Sequence, residues 1–172
     1  MRHPSRRGAG FTLVELMVTI AVLAILLAIG IPAFASLIAA NRLTSATNEL
    51  VASLQTARTE AIRRNARITV CPAAPTATAC SGNWRDGWMV FLDQTPGNAP
   101  APESAADILF RGGPSPQSIT IIGNTNVSSY ISFTADGASK LLSGAFQAGT
   151  VRVCSTSAAL ANDRRARDLV IS

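Results

Sequence analysis

The hydrophobic period of this chain changes twice. Leu16 to Asn41 is a 26-residue stretch without a charged side chain, longer than the roughly 20 apolar residues that carry a helix across a hydrocarbon core. From there apolar positions thin to a stripe at Leu43, Leu50, Leu54, Ala57 and Ala61, the spacing of one helix face. Asn41, Asn48, Gln55 and Thr59 fall opposite. The pattern predicts one helix over 11–64, about 80 Å long at 1.5 Å per residue. Its first half is apolar all round and its second half amphipathic, as suits a helix that leaves a bilayer and then lies on a globular head. Gly30 and Pro32 interrupt the apolar half. Proline lacks the backbone donor and crowds the preceding turn, so a kink or local loosening is expected there.

After Asn65 the period becomes two. Runs at 67–71, 88–92, 108–110, 118–122, 130–133, 150–154 and 168–171 read as short strands. Turn-rich segments at 72–83, 94–104, 112–117 and 136–137 separate them. Seven strands without a second helix predict an α+β chain, with an antiparallel β head packed on the helix stripe. Residues 1–10 then stand ahead of the rod, 11–40 form the membrane segment, and 41–172 form the head, helical to about 66 and β-rich beyond. That head has about 130 residues, enough for one domain with its own core.

Charge and composition narrow the chemistry. Three of the 15 basic residues, Arg2, Arg6 and Arg7, precede Gly10, whereas all ten acids follow it. Beyond Gly10 the balance is only 12 basic against 10 acidic side chains, too even for a general nucleic-acid coat. The single histidine is His3. A chain starting after Gly10 has no histidine for a triad, a His-based metal site or general acid–base work. No enzyme, cofactor or metal is expected.

One carboxylate, Glu15, stands at the mouth of the apolar stretch. Burying it in a membrane costs on the order of 2.5–3.5 kcal/mol on insertion scales, so it calls for a function and a partner. The surrounding run, Gly10-Phe11-Thr12-Leu13-Val14-Glu15 followed by apolar residues through Pro32, resembles the class III signal of type IV prepilins and type II secretion pseudopilins. An ordinary secretory signal is cut after its apolar segment. The resemblance instead implies a cut between Gly10 and Phe11, N-methylation of Phe11, and retention of the apolar rod in the mature protein. It further implies that Glu15 pairs with the N-terminal amine of a neighbouring subunit, and that the helix loosens near Gly30 and Pro32 as the filament packs. The implied partners are other pilins or pseudopilins, prepilin peptidase and an inner-membrane assembly platform. The implied location is the inner membrane, crossed once, with the head in the periplasm.

A second segment, Trp84-Arg85-Asp86-Gly87-Trp88-Met89-Val90-Phe91-Leu92-Asp93, resembles the Trp-x-x-Gly-Trp-x-Val-Phe-x-Asp run of the GspH/FimT branch of minor pseudopilins. So does the helix end at 55–62 with the following strand that closes on Cys71-Pro72. This implies a type IV pilin-like fold and a minor subunit of a type II secretion pseudopilus or a type IV pilus, contributing to protein secretion or pilus biogenesis. In the head, Trp88 and Phe91 are expected to anchor the core, with Trp84 packing rather than binding a ligand. An oxidising periplasm favours a disulfide. Cys71 with Cys80 closes a short loop and is preferred, while Cys71 with Cys154 competes because both end similar strands. Arg164, Arg165 and Arg167 form the densest basic cluster. Some FimT-type pilins bind DNA through a C-terminal Gly-Arg-x-Arg element during natural transformation. That element is not matched here, and Asp163 and Asp168 flank the arginines. DNA binding is the alternative reading, and a solvated loop the preferred one.

Overall fold

In the computed structural model the described residues are 10–94, 97 and 99–172; the segment expected to be removed, apart from Gly10, lies outside them. The chain divides into two compact units, 1–37 and 38–172. Helix α1 spans Leu13–Arg64, 52 residues. It starts two residues later than the periodicity suggested because Thr12 caps it: the Glu15 N–H donates to Thr12 Oγ1 at 3.2 Å. Thr12-x-x-Glu15 is the spacing of a capping box. The helix continues through Gly30 and Pro32 without a break.

Up to residue 38 the large apolar side chains of α1 are exposed, Phe34, Leu37 and Ile38 included. The hydroxyls of Thr19 and Ser36 donate back to the carbonyls of Leu16 and Ala33, both at 2.8 Å, which satisfies them without water. From Ala39 the stripe is buried: Ala39, Leu43, Ala46, Leu50, Leu54, Ala57 and Ala61. The leucines and alanines of this face share one buried cluster with residues of the β part of the head.

Among the described residues the head beyond α1 has seven strands, with short 3-10 turns between some of them: β1 (Ile68–Pro72), β2 (Trp88–Leu92), β3 (Ile108–Gly112), β4 (Ile119–Gly123), β5 (Ile131–Phe133), β6 (Gly149–Ser155) and β7 (Ala166–Ile171). The expected antiparallel β head is built as two sheets, a four-stranded sheet in the order β3-β2-β1-β5 and a three-stranded sheet in the order β4-β6-β7. All pairings are antiparallel. Helix stripe and sheets share one core in which Ile68, Val70, Trp88, Val90 and Ile131 of the larger sheet meet Ile121, Val151 and Val153 of the smaller. Trp88 and Phe91 are both fully buried, but on opposite faces of β2. Phe91 joins Cys71, Ala73 and Met89 in a second cluster, against which Ala77, Cys80 and Tyr130 pack. Both faces of the larger sheet are therefore covered, which accounts for the unbroken burial of β1.

Candidate assembly site

The site built by the N-terminal signal is the first turn of α1. Thr12 fixes the helix start, and Glu15 takes the third helical position. A carboxylate there also meets the positive end of the helix dipole, which stabilises it by roughly 0.3–1 kcal/mol when exposed. Glu15 is exposed, as are Phe11, Leu13, Val14, Leu16 and Met17 around it. Among the described residues no cation pairs with Glu15. Among the described residues the result is a single anion surrounded by exposed apolar side chains. In a low-dielectric surrounding such a charge is strongly selective for a single cation, because leaving it unpaired is costly. Gly10 is exposed and outside the helix, so the Gly10–Phe11 bond lies just ahead of the cap. The capping threonine was not singled out from sequence, although its signal, threonine three residues before glutamate, was there to read.

The Trp84–Asp93 motif builds the head. Trp84 is buried in the 3-10 turn Trp84–Asp86, and its indole N–H donates to the carbonyls of Val127 at 3.2 Å and Ser128 at 2.9 Å. Gly87 has φ +120°, and a Cβ there would meet the carbonyl oxygens of Ala73 at 2.9 Å and Gly112 at 3.0 Å. Gly112 leaves room for the Trp88 ring, whose atoms lie as near as 2.0 Å to where its Cβ would stand. Asp93 is buried and accepts from the Thr69 hydroxyl at 3.0 Å, tying β2 to β1; burial pushes its carboxyl above the usual range. The motif is thereby spent mostly on packing and pairing: even the exposed Arg85 lies 4.0 Å from Asp86, while the buried Trp88 indole N–H has no hydrogen-bond partner among the described residues.

Cys71 and Cys80 are joined by a disulfide with Cα atoms 5.6 Å apart. It closes the segment that covers the outer face of β1 and β2, and the Ser81 N–H donates to the Pro72 carbonyl at 2.9 Å beside it. Cys154 is a half-buried free thiol on β6. Its strand belongs to the other sheet from β1, so the likeness between the two strands does not bring the two sulfurs together.

The three arginines also separate. Arg165 turns inward, its guanidinium donating to the carbonyls of Leu160 at 2.7 Å and Ala158 at 3.5 Å. Arg164 is exposed, with Asp163 4.0 Å away. Arg167 is exposed and bonds the Ala166 carbonyl at 2.9 Å. Asp168 is held by Arg152 through two bonds of 2.7 Å, which keeps its carboxyl below the usual range. Arg164 and Arg167 thus stay exposed while Arg165 is bonded to the chain. Among the described residues no group of histidine, cysteine and carboxylate side chains is arranged to hold a metal.

Residues 46–172 match the family profile of the type II transport protein GspH. The chain belongs to the GspH family. Residues 5–31 match the prokaryotic N-terminal methylation motif, so this GspH-family chain carries a prepilin signal as well as the head. Two crystal structures of the type IV minor pilin FimU from Pseudomonas aeruginosa have the same fold. The first matches with a TM-score of 0.54 and 24% identity over 77% of this chain and 83% of FimU. The second matches with a TM-score of 0.51 and 22% identity over 75% and 85%. No curated protein sequence gives a significant match. The chain is a minor pilin or pseudopilin, with a long N-terminal apolar helix and antiparallel sheets.

Proposed function

We infer that this GspH-family protein is a structural, non-catalytic minor subunit of a type II secretion pseudopilus or a type IV pilus. It enters the inner membrane through the apolar half of α1 and holds its head in the periplasm. Prepilin peptidase cuts between Gly10 and Phe11 and the new N-terminus is methylated. The rod then leaves the bilayer for the filament, taken up by the inner-membrane assembly platform together with other pilins or pseudopilins. Glu15 receives the N-terminal amine of the neighbouring subunit.

The observation that carries this reading is the exposed Glu15, which among the described residues has apolar neighbours and no cation partner. An opposite charge brought from a neighbour relieves it only at one axial register, so the pair sets register more than it adds net stability. Pro32 removes one hydrogen bond from the middle of the rod, and together with Gly30 it marks the place where the helix gives way during packing. DNA binding through Arg164, Arg165 and Arg167 remains the alternative reading; the bonds of Arg165 to backbone carbonyls and the flanking Asp163 and Asp168 support the structural reading over it. The test is Glu15→Ala: membrane insertion stays intact, while crosslinking to and co-purification with partner pilins fall severalfold. Unchanged co-assembly would overturn the role.

A further inference from the structure

Among the described residues the two sheets of the head end in four edge strands, of which β5 is closed by hydrogen bonds, β3 is irregular and β4 is flanked by a 3-10 turn that makes no hydrogen bond to it. On β5 the outward Ser132 N–H donates to the buried Gln147 Oε1 at 3.0 Å, and the Ser132 carbonyl accepts the Lys140 N–H at 3.0 Å. Gln147 is itself pinned, its Nε2 donating to the carbonyls of Asn126 at 2.8 Å and Tyr130 at 2.9 Å. Beside β4 packs the 3-10 turn that carries Trp84. The pairing of β3 with β2 shifts register between Val90 and Phe91, and such irregularity is one of the ways natural edges are blunted.

The fourth edge, β7, is regular and six residues long. Its geometry follows from one bond: the Ser155 N–H donates to the Arg165 carbonyl at 2.7 Å. Hydrogen-bonded and non-bonded pairs alternate along an antiparallel ladder. With the register that opposes Val153 to Arg167 and Val151 to Leu169, the residues 167, 169 and 171 turn their backbone groups toward β6. Ala166, Asp168 and Val170 therefore aim theirs outward. The Ala166 carbonyl accepts the Arg167 guanidinium. Among the described residues the outward backbone groups of Asp168 and Val170 have no partner. Val170 is 72% exposed, the most exposed large apolar side chain of the head.

Beside this edge lies a groove floored by Val51, Leu54, Phe133 and Ile171 and entered by Arg58. Arg58 donates through Nε to the Gly137 carbonyl at 2.6 Å and lies 5.8 Å from the Phe133 ring centroid. No carboxylate pairs with it among the described residues. The groove's own carboxylate, Asp168, is taken by Arg152.

We propose that β7 is a strand-addition site, which takes an extended segment of a different polypeptide carrying alternate apolar side chains and one carboxylate. Open backbone donors and acceptors in strand register are matched by an extended backbone, and flanking pockets select alternate side chains. The apolar floor accepts every second side chain of the added strand, and Arg58 receives its carboxylate. A second copy of this chain is a poorer match, because the carboxylate its β7 would bring is already bonded to Arg152.

The test uses the full chain in detergent micelles, panned against a displayed library of random dodecapeptides. Enriched peptides should alternate apolar and polar positions and carry an acidic residue. Binding should slow amide exchange at Asp168 and Val170 on wild-type protein, a readout that needs no variant. Val170→Pro deletes an outward N–H without touching the β6 ladder, so binding weakens at least tenfold while the Leu169 and Ile171 amides stay protected. Val170→Thr, which keeps the N–H, binds within about twofold of wild type. Equal binding by Val170→Pro, protection confined to other strands, enrichment of peptides without an acid, or self-association that buries β7 would each overturn the proposal. Assembly through Glu15 is read separately and does not depend on the outcome.

Discussion

The two halves of α1 obey the same backbone rules and face opposite demands. Between Leu13 and Ile38 the large apolar side chains are all exposed, and Glu15 is the only charge. Between Ala39 and Arg64 the apolar residues shrink to a buried stripe, and the charges move to the far face and the end, where Glu60 is held by Arg63 and Arg64 at 2.6 Å each. Helix propensity does not distinguish the halves; the surroundings each one satisfies do. The second half finds its apolar partner in its own head, whereas the first must find one in lipid or in another subunit. Exposure of this size on a rod is the mark of an interaction surface.

The sharpest way to break that comparison is to trim one leucine from each half. Leu50→Ala removes a side chain with no exposed surface and should destabilise the head by about 2–5 kcal/mol. Leu23→Ala, at a half-exposed position, should leave head stability within about 0.5 kcal/mol. Denaturant titration of both variants in detergent checks this, and equal losses would contradict the division. Next in size is the disulfide. Cys80→Ser opens the short loop over β1 and β2, and should cost the head roughly 2–3 kcal/mol, without altering retention in the membrane fraction.

A smaller effect separates the halves by pH. Bonds from Arg63 and then Arg64 hold the Glu60 carboxyl down at about 2. Asp107, Asp136 and Asp168 are also held below their ordinary values, through Ser104, Thr134 and Arg152 respectively. For a carboxyl whose folded value is depressed, stabilisation is present above the unfolded value near 4 and lost as pH falls through the folded one. Asp93, raised by burial, has the opposite sign and is relieved by acid. Four depressed groups against one raised group predict that the head's Tm falls between pH 5 and 2. A flat Tm over that range would contradict the assignment of these bonds.

Much of this was readable in the residues, for identifiable reasons. The seven strands and the long helix follow from local periodicity, and both ends of each strand fall within two residues of the expected positions. The division into two sheets was not, because it rests on pairings between distant segments, such as β1 with β5, that no local pattern encodes. The same limit hid the open edge of β7, which exists only because β6 turns its other side to β4. Arg164, Arg165 and Arg167 looked like one cluster since neighbours in sequence are easily counted together. The passage from the 3-10 turn Asn162–Arg164 into β7 sends their side chains to different places. Glu15 was conspicuous from the start, since a single carboxylate among apolar residues has no packing explanation.

The account rests on the apolar rod being kept and exposed at its new N-terminus, and the intact mass of the protein extracted from membranes of cells with prepilin peptidase tests it most directly. The predicted mass is that of a chain starting at Phe11 with one added methyl group and two hydrogens fewer for the Cys71–Cys80 bond. A mass that retains residues 1–10, or that has lost the apolar stretch with them, would contradict it.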